Sequence, residues 1–330
     1  MSNSEPNSLS VTYRQGYRWA VAELLASLPS LVLSGWLLVG TAALLANWAA
    51  VLVLGLWLGS GPLVLWWRRL VLAAMAQWSA QHLPDEHDRV RRAWVNVTAT
   101  AGLPVDTARV WVMNSGAVNG ALHSGGQLSV TRQAVDTFTQ HQLEALLAHE
   151  LGHRLQGTAT WRYVIWWYRR PFEWLVRALF APADLLMGRA LPRLTVTSDR
   201  VIASLRWSYL GLVTATTLLA APAVLAYGCA ACLVFVAFAL LLGPWTAAIA
   251  LSVAALQLLI RPRLWQRGEY LADRVVADLG YLAEFRAVLH TLHHHPNNPT
   301  RSGAVPTLLS THPHLDARLA ELDRYTTRPR

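Results

Sequence analysis

Two histidines four residues apart, with a glutamate directly after the first, stand in the segment His149-Glu150-Leu151-Gly152-His153. On a helix, positions i and i+4 share one face, so both imidazoles can bind the same metal ion. Glu150 then lies about 100° around the helix, where its carboxylate can reach a water molecule bound to that ion. A catalytic zinc ion lowers the pKa of its water to about 7, and a carboxylate can accept the proton. The spacing predicts a zinc-dependent hydrolytic site; the alternative is a pair of surface histidines.

The residues around this segment favour a helix. Thr139 and Gln142 have the spacing of an N-terminal capping box, and no proline interrupts the residues that follow. Apolar side chains then recur at helical spacing, at Leu143, Leu146, Leu147, Leu151 and Leu155. Such a helix would hold the two imidazoles in a fixed relation to each other.

A catalytic zinc site needs a third protein ligand and an open position for water. The segment Glu269-Tyr270-Leu271-Ala272-Asp273 offers a carboxylate, and its two acidic residues are again four apart. Asp273 could accept a hydrogen bond from a ligating imidazole, which is a common arrangement around zinc. Taken alone, the same pattern also fits a solvated helix face.

Charged residues make up 14% of the 330-residue chain, against about 25% in an ordinary soluble domain. The deficit is concentrated, because residues 24–67 and 207–260 contain no Asp, Glu, Lys or Arg. A spanning helix needs about 20 apolar residues, so each run is long enough for two crossings. We therefore predict two transmembrane helical hairpins, with about four spanning helices; the alternative is a large soluble core with buried helices. The first turn is expected near Ala46-Asn47-Trp48, and the second either at Tyr227 to Cys232 or at Gly243-Pro244.

Arginines flank both uncharged runs, whereas the expected outer turns carry no charge. Arg18 and Arg68 flank the first run, and Arg206 and Arg261 flank the second. Basic residues remain on the cytoplasmic side of a membrane, which predicts a multi-pass protein of the cell membrane with cytoplasmic soluble parts. All 28 basic residues are arginine and no nucleic-acid motif is present, so we attribute the net charge of +9 to a lipid bilayer as partner and expect no nucleic acid. An even number of crossings also returns Glu269 to the side of the two histidines.

The stretch after the first run carries strand signals. Val110-Trp111-Val112-Met113 and Gln127-Leu128-Ser129-Val130-Thr131 are typical of short strands, and glycines punctuate the residues between them. Together with the helices, they predict a mainly α fold with a small β-sheet. Residues 160–193 mix aromatic and basic side chains, which suits either a segment lying in the headgroup region or an ordinary domain core.

Two further groups could bind a metal ion. Cys229 and Cys232 form a C-x-x-C pair inside the second uncharged run, where ionised thiolates are costly, so we favour packing of small residues over a redox or metal pair. The run His293-His294-His295 stands in or beside an expected loop, as a flexible polar segment or as an accessory metal site.

In combination, these motifs resemble the M48 family of integral-membrane zinc metallopeptidases, closest to its bacterial HtpX-like members. The resemblance rests on the two motifs above, on Thr311-His312-Pro313, and on their order relative to the hairpins, over most of residues 20–325. It implies a zincin-like metallopeptidase core with one Zn²⁺ per chain. The organisation it implies is a cytoplasmic N-terminal segment (1–23), a first hairpin (24–67), a cytoplasmic metallopeptidase domain (68–206), a second hairpin (207–260) and the C-terminal part of the catalytic domain (261–330).

Residue by residue, the resemblance implies a metal centre with three ligands. His149, His153 and Glu269 resemble the zinc ligands of the family, and Glu150 resembles its general base. Asp273 resembles the carboxylate that hydrogen-bonds a ligating imidazole.

The resemblance also implies residues on the substrate side. His312 and Arg318 match a histidine and an arginine that lie near the substrate, and His312 is suited to donate to the developing oxyanion. Asn119 matches an asparagine before the edge strand that holds the substrate backbone, although the family usually has Ala-Phe-Ala where this chain has Gly120-Ala121-Leu122. We expect an edge strand around Gln127 to Thr131 to align the substrate by strand addition.

The function expected from the sequence is that of a zinc metalloendopeptidase acting on protein or peptide substrates, in the quality control of membrane or membrane-adjacent proteins. The alternatives are a sensor metalloprotease that cleaves one specific regulator and a catalytically inactive membrane scaffold. The sequence does not define an oligomeric state.

Overall fold

A computed structural model describes residues 8–178, 180–181, 225, 228–229, 231–236, 238–240, 243–295 and 312–327. The described chain is mainly helical and contains one three-stranded sheet. The expectation of a mainly α fold with a small β-sheet is therefore confirmed. Thr311, most of residues 182–242 and the first residues of the chain lie outside the described residues, and so does much of the second uncharged run.

The helices are long at the two ends of the described chain and shorter in between. Their bounds are α1 (Ser8–Ala43), α2 (Asn47–His82), α3 (Pro84–Ala101), α4 (Arg132–Thr137), α5 (Gln140–Gln156), α6 (Thr158–Tyr168), α7 (Pro244–Asp278), α8 (Leu282–His294) and α9 (Leu315–Thr327). A single 3₁₀ turn, Val105–Thr107, precedes the sheet.

The sheet consists of β1 (Arg109–Met113), β2 (Gly120–His123) and β3 (Gln127–Thr131), in the spatial order β1-β3-β2. β3 pairs in parallel with β1 and antiparallel with β2. Our expectation that Gln127–Thr131 is an edge strand is wrong, because both of its sides are hydrogen-bonded. The two edge strands of the sheet are β1 and β2. The four residues of β2 carry too little alternation to be recognised by pattern, and they form a strand by pairing with β3.

The described residues fall into two compact units. The first lies within Met1–Leu28, Leu56–Trp167 and Leu256–Arg330. Its hydrophobic core packs α3, α5 and α8 with the sheet, around the fully buried side chains of Trp94, Leu128 and Phe285. Apolar burial of this kind supplies most of the stability of a domain and fixes α5 in place.

The last turns of α2 contact the sheet. The buried Ser79 hydroxyl accepts a hydrogen bond from the Val112 amide at 2.9 Å, which joins α2 to β1. One continuous helix therefore leads from the uncharged residues of the first run to the sheet.

The second compact unit lies within Pro29–Gly55 and Tyr168–Ala255. Its core contains Leu33, Val234 and Phe238, with Phe172 packed edge-on against Phe238. The Ser34 hydroxyl accepts a hydrogen bond from the Phe172 amide at 3.2 Å. Part of the aromatic and basic segment 160–193 thus contributes to a core, while Trp161, Trp166 and Trp174 are exposed.

Three described helices are long and apolar enough to cross a membrane: Val21–Ala43, Asn47–His82 and Pro244–Asp278. A shorter apolar helix covers Ala231–Leu240. α1 ends at Ala43 and α2 begins at Asn47, next to the turn expected in the first run. In the second run, residues 228–229 and 231–236 are helical, and the helical path is interrupted at Gly243, whose φ of 80° is in the left-handed region that favours glycine. Helix α7 begins at Pro244, directly after Gly243, and part of the alternative turn at Tyr227 to Cys232 lies outside the described residues.

Candidate metal centre

Helix α5 positions the histidine pair. The Thr139 side chain accepts from the Gln142 amide and the Gln142 side chain accepts from the Thr139 amide, so the capping box predicted from the sequence is confirmed. His149 and Glu150 are buried, and His153 is partly exposed one turn later. The helix ends at Gly157, which has a left-handed φ of 68°.

Helix α7 crosses α5 at a point where only glycine fits. A Cβ atom placed on Gly152 would lie 2.6 Å from the Cα atom of Ala272, which is closer than such atoms approach. One turn further along α5, the Gln156 side-chain amide donates to the Gly268 carbonyl at 2.8 Å. These two contacts place Glu269 of α7 directly opposite His149 and His153.

Three ligand atoms converge at this crossing. Glu269 Oε2 lies 3.6 Å from His149 Nε2, and Glu269 Oε1 lies 3.4 Å from His153 Nε2. All three residues offer ligand atoms within 4.8 Å of one another, and they are the one such group among the described residues. Tetrahedral bonds of about 2.0–2.1 Å to nitrogen and oxygen require ligand atoms about 3.3–3.4 Å apart. The separations of 3.4 and 3.6 Å between the Glu269 oxygens and the two imidazole nitrogens are close to this requirement.

Behind His149, a buried ion pair fixes the imidazole. The His149 Nδ1–H donates to Asp273 Oδ1 at 2.9 Å, which favours the tautomer with a free lone pair on Nε2. Arg318 of α9 holds the Asp273 carboxylate through both Nε, at 2.8 Å, and Nη2. The Phe285 ring stacks on the His149 imidazole, with 5.3 Å between ring centroids.

Two further residues face the same space. His312 Nδ1 lies 3.4 Å from Glu269 Oε2, and the His312 side chain is 55% exposed. The Glu150 carboxylate has no hydrogen bond or ion pair to any described residue, although the residue is buried. The charge of Glu150 nevertheless contributes to raising the pKa of His312 and the pKa of Arg318, so the three side chains interact electrostatically.

The uncharged part of α7 ends at Ile260, so Glu269 and Asp273 belong to its charged continuation. Burial by itself would raise the pKa of Glu269, but the neighbouring His153, His312 and Arg318 hold that pKa well below its usual range. Burial likewise opposes ionisation of Asp273, and the charge and hydrogen bonds of Arg318 hold its pKa below the usual value. Both carboxylates are therefore ionised, as metal binding and imidazole orientation require.

The pKa of His312 is displaced in the opposite direction. Its hydrogen bond to Glu269 raises the pKa, although partial desolvation of this half-exposed ring opposes the rise. The pKa of Arg318 is raised by Asp273 and Glu269 against the effect of burial, so its guanidinium stays charged. The group thus supplies proton donors beside the converging ligand atoms.

Asn119 and His314 are not part of this convergence. Asn119 is exposed at the start of β2, and its hydrogen bonds within the described residues go to Thr131. His314 pairs with Asp316 at 3.2 Å. Cys229 and Cys232 are free and exposed. The ring of His293 touches that of His314, but the described residues show no metal-binding group there.

Sequence reasoning missed two connections to the long helices. His123, in the edge strand β2, contacts Arg68 of α2 at 3.4 Å and the Ser129 hydroxyl of β3 at 2.8 Å. Burial and then the charge of Arg68 lower the pKa of His123 to about 4.

Glu23 is the other missed residue. Its buried carboxylate accepts hydrogen bonds from Arg162 at 2.8 Å and from the Trp265 indole at 2.5 Å, so it joins α1, α6 and α7. Its position as the last acid before the first uncharged run is a signal that could have found it.

A comparison with protein families matches the part of the chain that contains α5. Residues 84–183 match Peptidase family M48, a stretch that contains His149, Glu150 and His153. No protein with curated annotation and no solved structure matches the chain. The match supports the M48 family and a metallopeptidase activity, while Glu269, His312 and Arg318 lie beyond the matched residues.

Proposed function

We propose that this protein is a membrane-embedded zinc-dependent endopeptidase that hydrolyses peptide bonds of membrane or membrane-adjacent proteins on the cytoplasmic side. A role in protein quality control follows from the resemblance to HtpX-like peptidases. The observation that carries the proposal is the convergence of His149, His153 and Glu269 within 4.8 Å beside the buried, unpaired Glu150 carboxylate, counting partners among described residues.

His149, His153 and Glu269 would hold the zinc ion. When bound, zinc supplies a Lewis acid that polarises the substrate carbonyl and lowers the pKa of water. The fit rests on the donor set, because two imidazole nitrogens and one ionised carboxylate approach each other at separations suited to one ion.

The protein's own residues would then handle the proton and the developing charge. The Glu150 carboxylate, which has no hydrogen-bond partner among the described residues, takes a proton from the attacking water and delivers it to the leaving amine. His312, whose pKa is raised by Glu269, donates a hydrogen bond to the oxygen that gains negative charge. Asp273 and Arg318 keep the His149 ring in the orientation that exposes Nε2.

The edge strand β2 is the surface on which we place the substrate backbone. The Thr131 amide donates to the Asn119 carbonyl at 2.9 Å. Because hydrogen-bonded and open positions alternate in an antiparallel pair, the peptide groups of Gly120 and Leu122 turn away from β3. No other described strand pairs with that side, so an extended substrate can add to it.

A membrane setting is supported by the three long apolar helices and by arginines at the ends of the uncharged runs. Large apolar side chains on these helices and in the turn between α1 and α2 are exposed, including Leu45, Trp48 and Trp245. By the positive-inside rule, the residues of the metal centre would face the cytoplasm.

The decisive experiment compares the purified protein with Glu150→Gln for zinc content and for cleavage of casein or a membrane-protein substrate. We expect Glu150→Gln to bind zinc fully and to lose at least about 100-fold in cleavage rate, since it cannot move the proton. Glu284→Gln, the same change in the first turn of α8, is the matched control and should cleave like the wild type. Equal cleavage by Glu150→Gln with zinc retained would contradict the proposed mechanism.

A further inference from the structure

A cavity of about 670 Å³ lies between the start of α1, helix α7 and helix α9. This volume is in the range of sites that bind small ligands. Its lining is separate from the metal centre, although Tyr270 and Leu271 in its wall directly follow Glu269. None of the proposed catalytic steps uses a residue that lines this cavity.

The cavity is basic. Arg18, Arg267 and Arg274 line it together with a single acidic residue, Glu321, which leaves an excess of two positive charges. Glu321 is engaged with Arg274 at 2.7 Å. Arg18 and Arg267 have no carboxylate partner among the described residues, so their guanidinium groups are available to an anion.

One wall of the cavity is apolar and aromatic. The Arg267 guanidinium lies 4.7 Å from the centre of the Trp19 ring, which orients its planar group. Ala22 and Leu271 complete the apolar side. A guanidinium held flat against a ring still presents its N–H fork to a phosphate, and Arg is the residue best suited to such two-point binding.

The cavity is lined by residues that lie close in sequence to the start of the first uncharged run and to the end of the second. Arg18 and Trp19 lie a few residues before the first run begins at Leu24, and Arg267 lies a few residues after the second run ends at Ile260. In a helix that crosses a bilayer, this position corresponds to the headgroup region, where Trp and Arg concentrate. A ligand with an anionic head and an apolar body matches both the position and the lining.

We propose that this cavity binds the phosphate of an anionic glycerophospholipid, with Arg18 and Arg267 as its ligands and Trp19 against its glycerol and upper acyl atoms. The proposal rests on the membrane insertion stated under the proposed function, but not on peptidase activity. Arg267 precedes Glu269 by two residues on α7. A bound lipid would therefore restrict the motion of the helix that carries the Glu269 carboxylate.

The test uses the full chain carrying Glu150→Gln, in nanodiscs of phosphatidylcholine with increasing phosphatidylglycerol. Native mass spectrometry then counts the lipids retained after the disc is removed. We expect one tightly retained phosphatidylglycerol per chain, and no comparable retention of phosphatidylcholine. Equal retention of both lipids would overturn the proposal.

Two variants locate the site. Arg18→Gln, on a helix other than the one that carries Glu269, and Arg267→Gln should together weaken phosphatidylglycerol retention about 30-fold. Arg263→Gln is the matched control, because it removes the same charge one turn away on α7 at an exposed residue outside the cavity lining. An equal loss with Arg263→Gln would show general attraction of basic residues to an anionic surface and would overturn the site.

A competition arm separates the lipid from free phosphate. Millimolar inorganic phosphate should leave retention unchanged, because it lacks the apolar body that contacts Trp19; displacement at that concentration would identify a free-phosphate site and overturn the lipid assignment. Zinc content and thermal unfolding of each variant show that it is folded. Retention of the lipid by a chain that cleaves no peptide would leave this proposal standing while the peptidase proposal fails.

Discussion

At the scale of single residues, the candidate metal centre depends on charges that are buried but paired. Asp273 is 1% exposed, and an isolated carboxylate at such a position would be strongly unfavourable. Arg318 makes it favourable through two hydrogen bonds, and the pair in turn holds the His149 ring. Arg318 therefore stabilises the charge of Asp273, and Asp273 in turn orients the His149 ring.

We predict that Arg318→Lys weakens zinc binding about 10-fold to 100-fold, the usual cost of losing support behind a metal ligand. Lysine keeps the positive charge but cannot reproduce two-point binding of the Asp273 carboxylate. Competition with a chromophoric chelator measures the affinity, and Arg286→Lys, at an exposed pair with Asp323, is the control. Wild-type zinc affinity in Arg318→Lys would show that the two-point contact is dispensable.

At the scale of elements, the centre exists because α5 and α7 approach closely. Gly152 lies inside the histidine motif and faces Ala272, which lies between Glu269 and Asp273. Gly152 has no side chain that could bind a metal ion or move a proton. It nevertheless sets the distance between α5 and α7, the two helices that carry the candidate metal ligands.

We expect Gly152→Ala to force α5 and α7 apart, because the new methyl group would stand 2.6 Å from the Ala272 Cα atom. Overpacking of this kind destabilises a protein by about 1–3 kcal/mol, and the displaced ligands should also bind zinc less tightly. Thermal unfolding with and without zinc tests both effects. Gly59→Ala, where a methyl group meets nothing within 4 Å, is the control, and similar behaviour of the two variants would exclude the close approach.

His123 connects three elements, since it contacts α2 and β3 from within β2. Its pKa is lowered from 6.5 to about 4, first by burial and then by the charge of Arg68. The unfolded chain therefore takes up a proton more readily than the folded one, and acidification from pH 6.5 towards 4 favours unfolding through this residue.

We predict that His123→Gln reduces the loss of thermal stability between pH 6.5 and pH 4.5. Other groups titrate in this range, so the measured quantity is the difference in slope between wild type and variant. His82→Gln, an exposed histidine of α2, should keep the wild-type slope. Parallel curves for wild type and His123→Gln would mean that the histidine is not held neutral in the fold.

At the scale of the whole molecule, long apolar helices and a polar metal centre occur in one chain. α2 has 36 residues, and only three of them are buried: Gly61, Leu72 and Ser79. A helix of this length is about 54 Å long, which exceeds the hydrocarbon thickness of about 30 Å. The part of α2 that extends beyond the apolar residues carries Arg68 and the residues that contact the sheet.

The orientation can be measured with reporters. We expect alkaline phosphatase inserted after Leu45, in the turn between α1 and α2, to be active because it lies outside the cytoplasm. A fluorescent protein that folds in the cytoplasm should be bright when fused after Thr327. An inactive phosphatase after Leu45 together with a dark fluorescent protein after Thr327 would indicate the opposite topology, with the candidate metal centre outside the cytoplasm.

Much of the site was predictable because its signals are local. The capping box, the histidine spacing and the absence of proline act within a few residues, so they define α5 from the sequence. The pattern of its own four residues did not predict β2, because they become a strand only through pairing with β3, although the family resemblance implied an edge strand after Asn119. The same holds for His123, whose partners are 55 positions before it in α2 and six positions after it in β3.

By itself, the sequence determined which residues can bind a metal ion, where the charge is missing and which segments are helical, since these properties depend on residue type and short-range spacing. Tertiary structure decided that β3 is central, that Glu269 meets His149 and His153, and that Arg318 supports Asp273. These relations join residues separated by up to 169 positions, as between His149 and Arg318. Close packing of α5 against α7 at Gly152 brings Glu269 and Asp273 next to the histidines, and the last helix, α9, adds Arg318.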